Sequence, residues 1–144
     1  MRRDGIREIK FRAWDENSQE MIYEVGITPE GIPYSIPENT EECDQFNYFP
    51  CCHKMQYTGL KDKNGTELYE GDGFTAKHRS GKVYKGQVKF DLSFVFDIKD
   101  FEELFINRVG GVKSNRTFDI HSFIKWFDEV EVIGDIYRNT ELIE

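Results

Sequence analysis

The tetrapeptide Asp62-Lys63-Asn64-Gly65 constrains the fold more than any other feature of the chain. It separates Lys54-Met55-Gln56-Tyr57-Thr58 from Glu67-Leu68-Tyr69, two short runs rich in strand-forming residues. Asn-Gly between such runs is the strongest short-range hairpin signal, because both residues tolerate the positive φ of a type I′ turn. A chain that reverses this tightly is expected to form antiparallel β-structure. The same punctuation recurs downstream. Glu70-Gly71-Asp72-Gly73 turns again, and Arg79-Ser80-Gly81 joins a strand at 74–78 to a longer one at 82–90. On the longer strand Tyr84, Val88 and Phe90 share one face, with Lys85, Gln87 and Lys89 opposite. Residues 92–98 read as a further strand.

The ends of the chain fit the same scheme. In Arg7-Glu8-Ile9-Lys10-Phe11-Arg12-Ala13-Trp14 the period of two places Ile9, Phe11 and Ala13 on one face and charges on the other. With the turn cluster at 15–18 and Met21-Ile22-Tyr23-Glu24-Val25, this predicts an N-terminal β-hairpin. Residues 129–137 alternate as a closing strand. Residues 118–127 are expected to be helical, with Asp119 as a cap and Ile120, Phe123, Ile124 and Phe127 at three- and four-residue spacing. Residues 100–106 are compatible with either helix or strand. All four prolines fall within 26–53, among Gly31, Asn39 and Asn47, and proline removes a ladder donor. That stretch is expected to be a long loop or insertion. The expectation is a mainly β fold: a small SH3-like or barrel-type β domain over 1–144, with one or two short helices.

Composition narrows the function classes. The 144 residues carry a formal net charge of -8, which opposes general nucleic-acid binding, since phosphate neutralisation needs clustered Lys and Arg. Twelve Phe and seven Tyr exclude a disordered chain. No apolar run approaches the ~20 residues of a membrane span, and Met1-Arg2-Arg3-Asp4-Gly5 opens no apolar signal region. Cys43, Cys51 and Cys52, an odd number close together, suit a reducing compartment better than a disulfide framework. A cytoplasmic protein with no membrane partner is expected.

Three segments also occur together in an order that resembles the YopX family of bacteriophage and prophage proteins. They are residues 7–15, the run Met55-Gln56-Tyr57-Thr58-Gly59-Leu60-Lys61-Asp62-Lys63-Asn64-Gly65 continuing to Tyr69-Glu70-Gly71-Asp72, and Glu131-Val132-Ile133-Gly134-Asp135-Ile136-Tyr137. Asn139-Thr140-Glu141-Leu142 resembles the Asn/Pro-Glu-Leu tail of that family. The sequence departs from the family pattern at Gly73-Phe74, where an aliphatic pair is usual, and residues 26–53 are not part of the pattern. The resemblance implies a mostly β, partly SH3-like fold and a phage or prophage origin. It implies no reaction and brings no catalytic residues.

Groups with chemical potential are few. Cys51-Cys52-His53, with Cys43 upstream, holds metal-ligand types, but adjacent cysteines rarely chelate one ion and no second pair follows. A calcium loop starting at Asp62 would need glycine at its sixth position, where Glu67 stands. No serine elbow and no phosphate-cradling glycine loop occurs. A metal-dependent nuclease reading, from Asp4 and Glu8 around Lys10, ranks below the solvent face of a strand. No catalysis, metal or cofactor is expected. The basic stretch Lys77, His78, Arg79, Lys82, Lys85 and Lys89 contains no acid, and Arg2, Arg3, Arg7, Lys10 and Arg12 form a second basic group. Small barrels present such strands to oligonucleotides; solvated strand faces with edge lysines have the same composition. A non-enzymatic accessory module acting through a protein partner or self-association is the expected function. The alternative is nucleic-acid binding through Lys77, Arg79, Lys82, Lys85 and Lys89.

Overall fold

The computed structural model describes residues 8–37, 46–104 and 111–143. The protein is mainly β, with eleven strands and two helices among these residues. The chain divides into two compact units, residues 6–57 and a second whose body is 58–144.

In the first unit β1 (Phe11–Asp15) pairs antiparallel with β2 (Glu20–Ile27), as the N-terminal hairpin expectation requires. Asp15 closes the turn, its Oδ1 accepting the N–H of Asn17 at 3.0 Å. A bulge between Phe11 and Ala13 breaks the simple alternation. Arg12, Ala13 and Trp14 are consequently all buried, whereas Ile9, expected on the core face, is exposed. The first half of β5 (His53–Lys61) pairs with the other edge of β1.

The stretch 26–53 was expected to lack strands, and it contains two short ones. β3 (Pro33–Ser35) pairs with the end of β2, and β4 (Asn47–Tyr48) pairs with β3. Pro33 occupies the first position of its strand, where a missing N–H is tolerated. Its carbonyl still accepts from Phe49 at 2.8 Å. Tyr34 stacks on Phe46, with ring centroids 5.5 Å apart. Proline at the first position of a three-residue strand thus leaves pairing possible on both sides, since β3 lies between β2 and β4.

The second unit contains the remainder of β5, β6 (Glu67–Tyr69), β7 (Asp72–His78), β8 (Val83–Phe90), β9 (Phe94–Leu104), β10 (Gly111–Asp119) and β11 (Phe127–Asp135). Hydrogen bonding orders five of them as β10-β9-β8-β7-β11, and β6 adds to β5. Each sheet order ends on edge strands rather than closing into a barrel. Residues 100–104 prove to be strand. β10 was not foreseen, because Lys-Ser-Asn-Arg-Thr offers no apolar alternation.

The turn at 62–66 differs from the expected type I′. Asp62 and Thr66 pair across three residues, Gly65 N–H donates to Asp62 O at 3.0 Å, and only Gly65 has positive φ, at 83°. This is a three-residue loop ending in a left-handed glycine. Asn64 keeps an ordinary φ because the Asp62 side chain takes its N–H at 2.9 Å.

Helix α1 (Ile120–Trp126) begins where Asp119 accepts the Ser122 N–H at 2.8 Å, a capping bond that pulls the carboxyl below its usual range. Phe118 and Phe127, both expected in the helix, instead lie in β10 and at the start of β11. α1 drives Phe123 into the core against Phe96, at 4.2 Å between stacked rings, and Phe74, at 5.3 Å edge-on. Leu60, Leu68, Val88, Ile98, Phe127 and Val130 complete a core in which aromatic contacts dominate. A last turn, α2 (Thr140–Ile143), covers the tail residues. Among the described residues no helix is long and apolar enough to cross a membrane.

Candidate functional site

The basic strand pair becomes the outer face of the five-stranded sheet. β7 and β8 are central strands, so their lysines are not edge lysines. In β8 the inward positions hold Tyr84, Gly86 and Val88, leaving Val83, Lys85, Gln87 and Lys89 on the other face. Lys85 lies opposite Thr75, and Lys77 opposite Val83.

Carboxylates from neighbouring strands answer most of these cations. Lys89 Nζ is 2.9 Å from Asp97 on β9. Lys82 is ion-paired with Glu102, also on β9. Arg79 in the turn approaches Asp128 at 4.0 Å. Lys63 pairs with Glu131 at 2.9 Å, which raises the lysine's pKa through that hydrogen bond and charge. Lys77 and Lys85 make no ion pair among the described residues. The acid-free run of the sequence is thus interleaved with acid in space, because sheet neighbours are distant in sequence.

At one end of this face Lys82, Lys85, Lys99 and Lys113 line an open hollow of about 480 Å³, together with Asp100 and Glu102. Lys99 and Lys113 are additions that the sequence reading missed. Lys99 was recognisable from alternation with Asp97, but Lys113 lies on the unforeseen β10. Lys77 lines a smaller hollow with Glu129 and Glu131, where acid balances base.

Of the second basic group only Lys10 and Arg12 are among the described residues. Arg2, Arg3, Arg7 and Asp4 lie outside the described residues. Lys10 is held by Glu8 at 2.9 Å, and Arg12 is buried. Cys43 also lies outside them. Cys51 is exposed, and partial burial, with Asp15 and Cys51 nearby, pushes the Cys52 thiol up and away from the reactive thiolate. No group of three His, Cys, Asp or Glu residues suited to a metal occurs among the described residues.

His78 closes the inner end of the β7–β8 hairpin. Its ring stacks on Trp126 at 6.2 Å and meets the edges of Phe101 and Phe127. Its Nδ1 takes the Ser80 N–H at 3.1 Å, which assigns the remaining proton to Nε2 in the neutral ring. Desolvation lowers its pKa, opposed by Asp128 and aided by Arg79.

Three aspartates within the motif segments, Asp62, Asp72 and Asp135, are buried and accept backbone N–H groups. Asp62 accepts from Asn64, Thr66 and Val132. Asp72 accepts the Tyr69 N–H at 2.8 Å. Desolvation pushes Asp135 up, but N–H bonds from Arg138 and Tyr137 and the Arg138 side chain outweigh it and hold the carboxyl low. Gly71 N–H donates to Val88 O, and Gly71 O accepts from Ile136, tying the central motif to the C-terminal one.

The family model described as YopX protein matches residues 10–144. The crystal structure of protein EF1440 from Enterococcus faecalis is similar, at 27% identity and a TM-score of 0.54 over 95% of this chain and 99% of that one. No curated protein matches the sequence. The match takes in nearly the whole chain, the turns and staples of the second unit included, and the chain belongs to the YopX family.

Proposed function

We propose that the protein is a non-enzymatic accessory module, encoded by a phage or prophage and working in the host cytoplasm through a protein interface. The observation that carries this reading is the commitment of Asp62, Asp72 and Asp135 to backbone N–H groups. Carboxylates held in this way act as acceptors that fasten turns and strands, a structural use. Exposed apolar side chains support a protein partner. Leu92, at the tip of the β8–β9 hairpin, is 96% exposed and has a φ of 63°, beside a half-exposed Phe90. A leucine in that position contributes nothing to the core and carries backbone strain.

The experiment is capture of the tagged chain from phage-infected or prophage-induced cells, with and without nuclease treatment, alongside its mass in solution. A protein partner, or a second copy, retained after nuclease supports the module. The lysine-lined hollow favours a second reading, nucleic-acid binding through the basic strand pair. Loss of all retained material on nuclease treatment would favour that reading instead.

A further inference from the structure

The Asn64-Gly65 step joins two groups able to react with each other. Asn64 is exposed, and its side-chain amide makes no hydrogen bond among the described residues. Gly65 is exposed as well, in open space: a Cβ placed there would meet nothing within 4 Å. Attack of the Gly65 backbone nitrogen on Asn64 Cγ closes a small ring, a succinimide. Covalently connected partners react without the cost of being brought together. After most asparagines the next side chain obstructs this approach, and glycine has none.

The folded turn restrains the reaction through Asp62. Its carbonyl accepts the Gly65 N–H at 3.0 Å, and its Oδ1 accepts the Asn64 N–H at 2.9 Å. Attack requires the Gly65 nitrogen to lose its proton and the 64–65 peptide to turn toward the side chain. Both hydrogen bonds oppose that movement, and the nearby carboxylate disfavours an anionic nitrogen. Asp62 is itself fixed, its Oδ2 accepting the Val132 N–H at 3.0 Å. The reaction therefore waits on local opening of the junction with β11.

We propose that Asn64 is a site of spontaneous covalent modification guarded by Asp62, and that its conversion unfastens the β5–β6 hairpin from β11. Gly65 N bonds to Asn64 Cγ, and the side-chain nitrogen leaves as ammonia, carrying away the Gly65 amide proton. Water then opens either C–N bond of the imide. One cleavage leaves aspartate; the other leaves isoaspartate, whose main chain runs through the side-chain methylene. The isoaspartate lengthens a loop that spans three residues between the paired Asp62 and Thr66, and it sets a new carboxylate beside Asp62. The lengthened loop no longer holds the Asp62 carboxylate on Val132. This modification stands apart from the protein's choice of partner.

The test follows the full chain at mildly alkaline pH, folded and in urea, by ammonia release and by peptide mapping that separates aspartate from isoaspartate. Conversion of residue 64 is expected in both, roughly ten-fold slower in the folded chain because the turn must first open. Asp62→Ala should speed the folded reaction roughly five-fold, and Asp62→Asn, which keeps an acceptor, by less. Circular dichroism checks that each variant folds; if the alanine variant unfolds, the asparagine variant carries the comparison. Asn64→Gln, which would have to close a larger ring, should abolish conversion there and keep the melting temperature. The isoaspartate fraction should exchange the Val132 amide faster than the unconverted chain. Equal rates in the folded and unfolded chains, or in the Asp62 variants and the parent, would remove the guard. A folded chain still intact when the unfolded one has fully converted would remove the site. Unchanged exchange at Val132 in the isoaspartate form would remove the unfastening.

Discussion

Asp62 Oδ2 accepts the backbone N–H of Val132 at 3.0 Å, joining residues 70 positions apart in the chain. Its other oxygen holds the turn that carries it, through Asn64 and Thr66. One carboxylate thus closes a hairpin and fastens that hairpin to the edge of the neighbouring sheet. The Lys63–Val130 backbone bond and the Lys63–Glu131 ion pair reinforce the junction.

Asp62→Ala should lower stability by roughly 2–3 kcal/mol, because the donors at Asn64, Thr66 and Val132 lose their acceptor together. Asp62→Asn should lose less, as one acceptor oxygen remains for the turn. Urea unfolding of both variants measures this. Alanine and asparagine variants equal to the parent would show that the staple is dispensable.

Gly65→Val should cost about 1–2 kcal/mol. The cause is φ alone, since a Cβ at this position meets nothing within 4 Å. An unchanged melting temperature would remove the left-handed assignment of the turn.

Gly86 has the opposite problem. A Cβ there would lie 2.7 Å from both Phe74 Cζ and the Asp97 carbonyl oxygen, and the backbone oxygen belongs to a paired strand. Gly86→Ala should destabilise by roughly 1–3 kcal/mol through overpacking. Calorimetry of the variant decides it; a stabilised protein would mean that the sheet relaxes freely.

The pH dependence near neutrality should come from His78. Its folded pKa lies below the ordinary 6.5, so the unfolded chain binds the proton more readily. Stability is fully present above pH 6.5 and is lost as the pH falls toward the folded value. Protonation also removes the Nδ1 acceptor of the Ser80 N–H. His78→Asn, which keeps an acceptor for Ser80, should flatten the profile of denaturation midpoint against pH between about 7.5 and 5. An equally steep profile in the variant would place the dependence elsewhere.

The parent chain should show no nucleic-acid affinity at physiological salt. Asp97, Glu102 and Asp128 oppose the cations of the strand pair, and screening limits field reach to ~8 Å. Reversal of Lys89 to Glu is a poor test, since it would set a second carboxylate against Asp97. Lys77→Glu with Lys85→Glu is the informative pair. Salt-sensitive DNA binding abolished by that pair would move the function to the second reading.

Local signals were legible along the chain: the Asn-Gly region as a reversal, Asp119 as a helix cap, the N-terminal hairpin and the family. Each depends on φ preferences or on side-chain–backbone bonds within a few residues, and these survive without a tertiary context. What lies across strands emerges only on folding. Arg12, at a charged position of an alternating strand, is buried because a bulge shifts the register. Lys82 and Lys89 lost their apparent freedom because their acids lie on β9, and β10 was invisible because its polar face needs only β9 to form. The hollow shared by Lys85, Lys99 and Lys113 exists only through pairing of three strands. Sheet pairing joins residues whose sequence separation carries no pattern, so periodicity within one segment cannot report its neighbours.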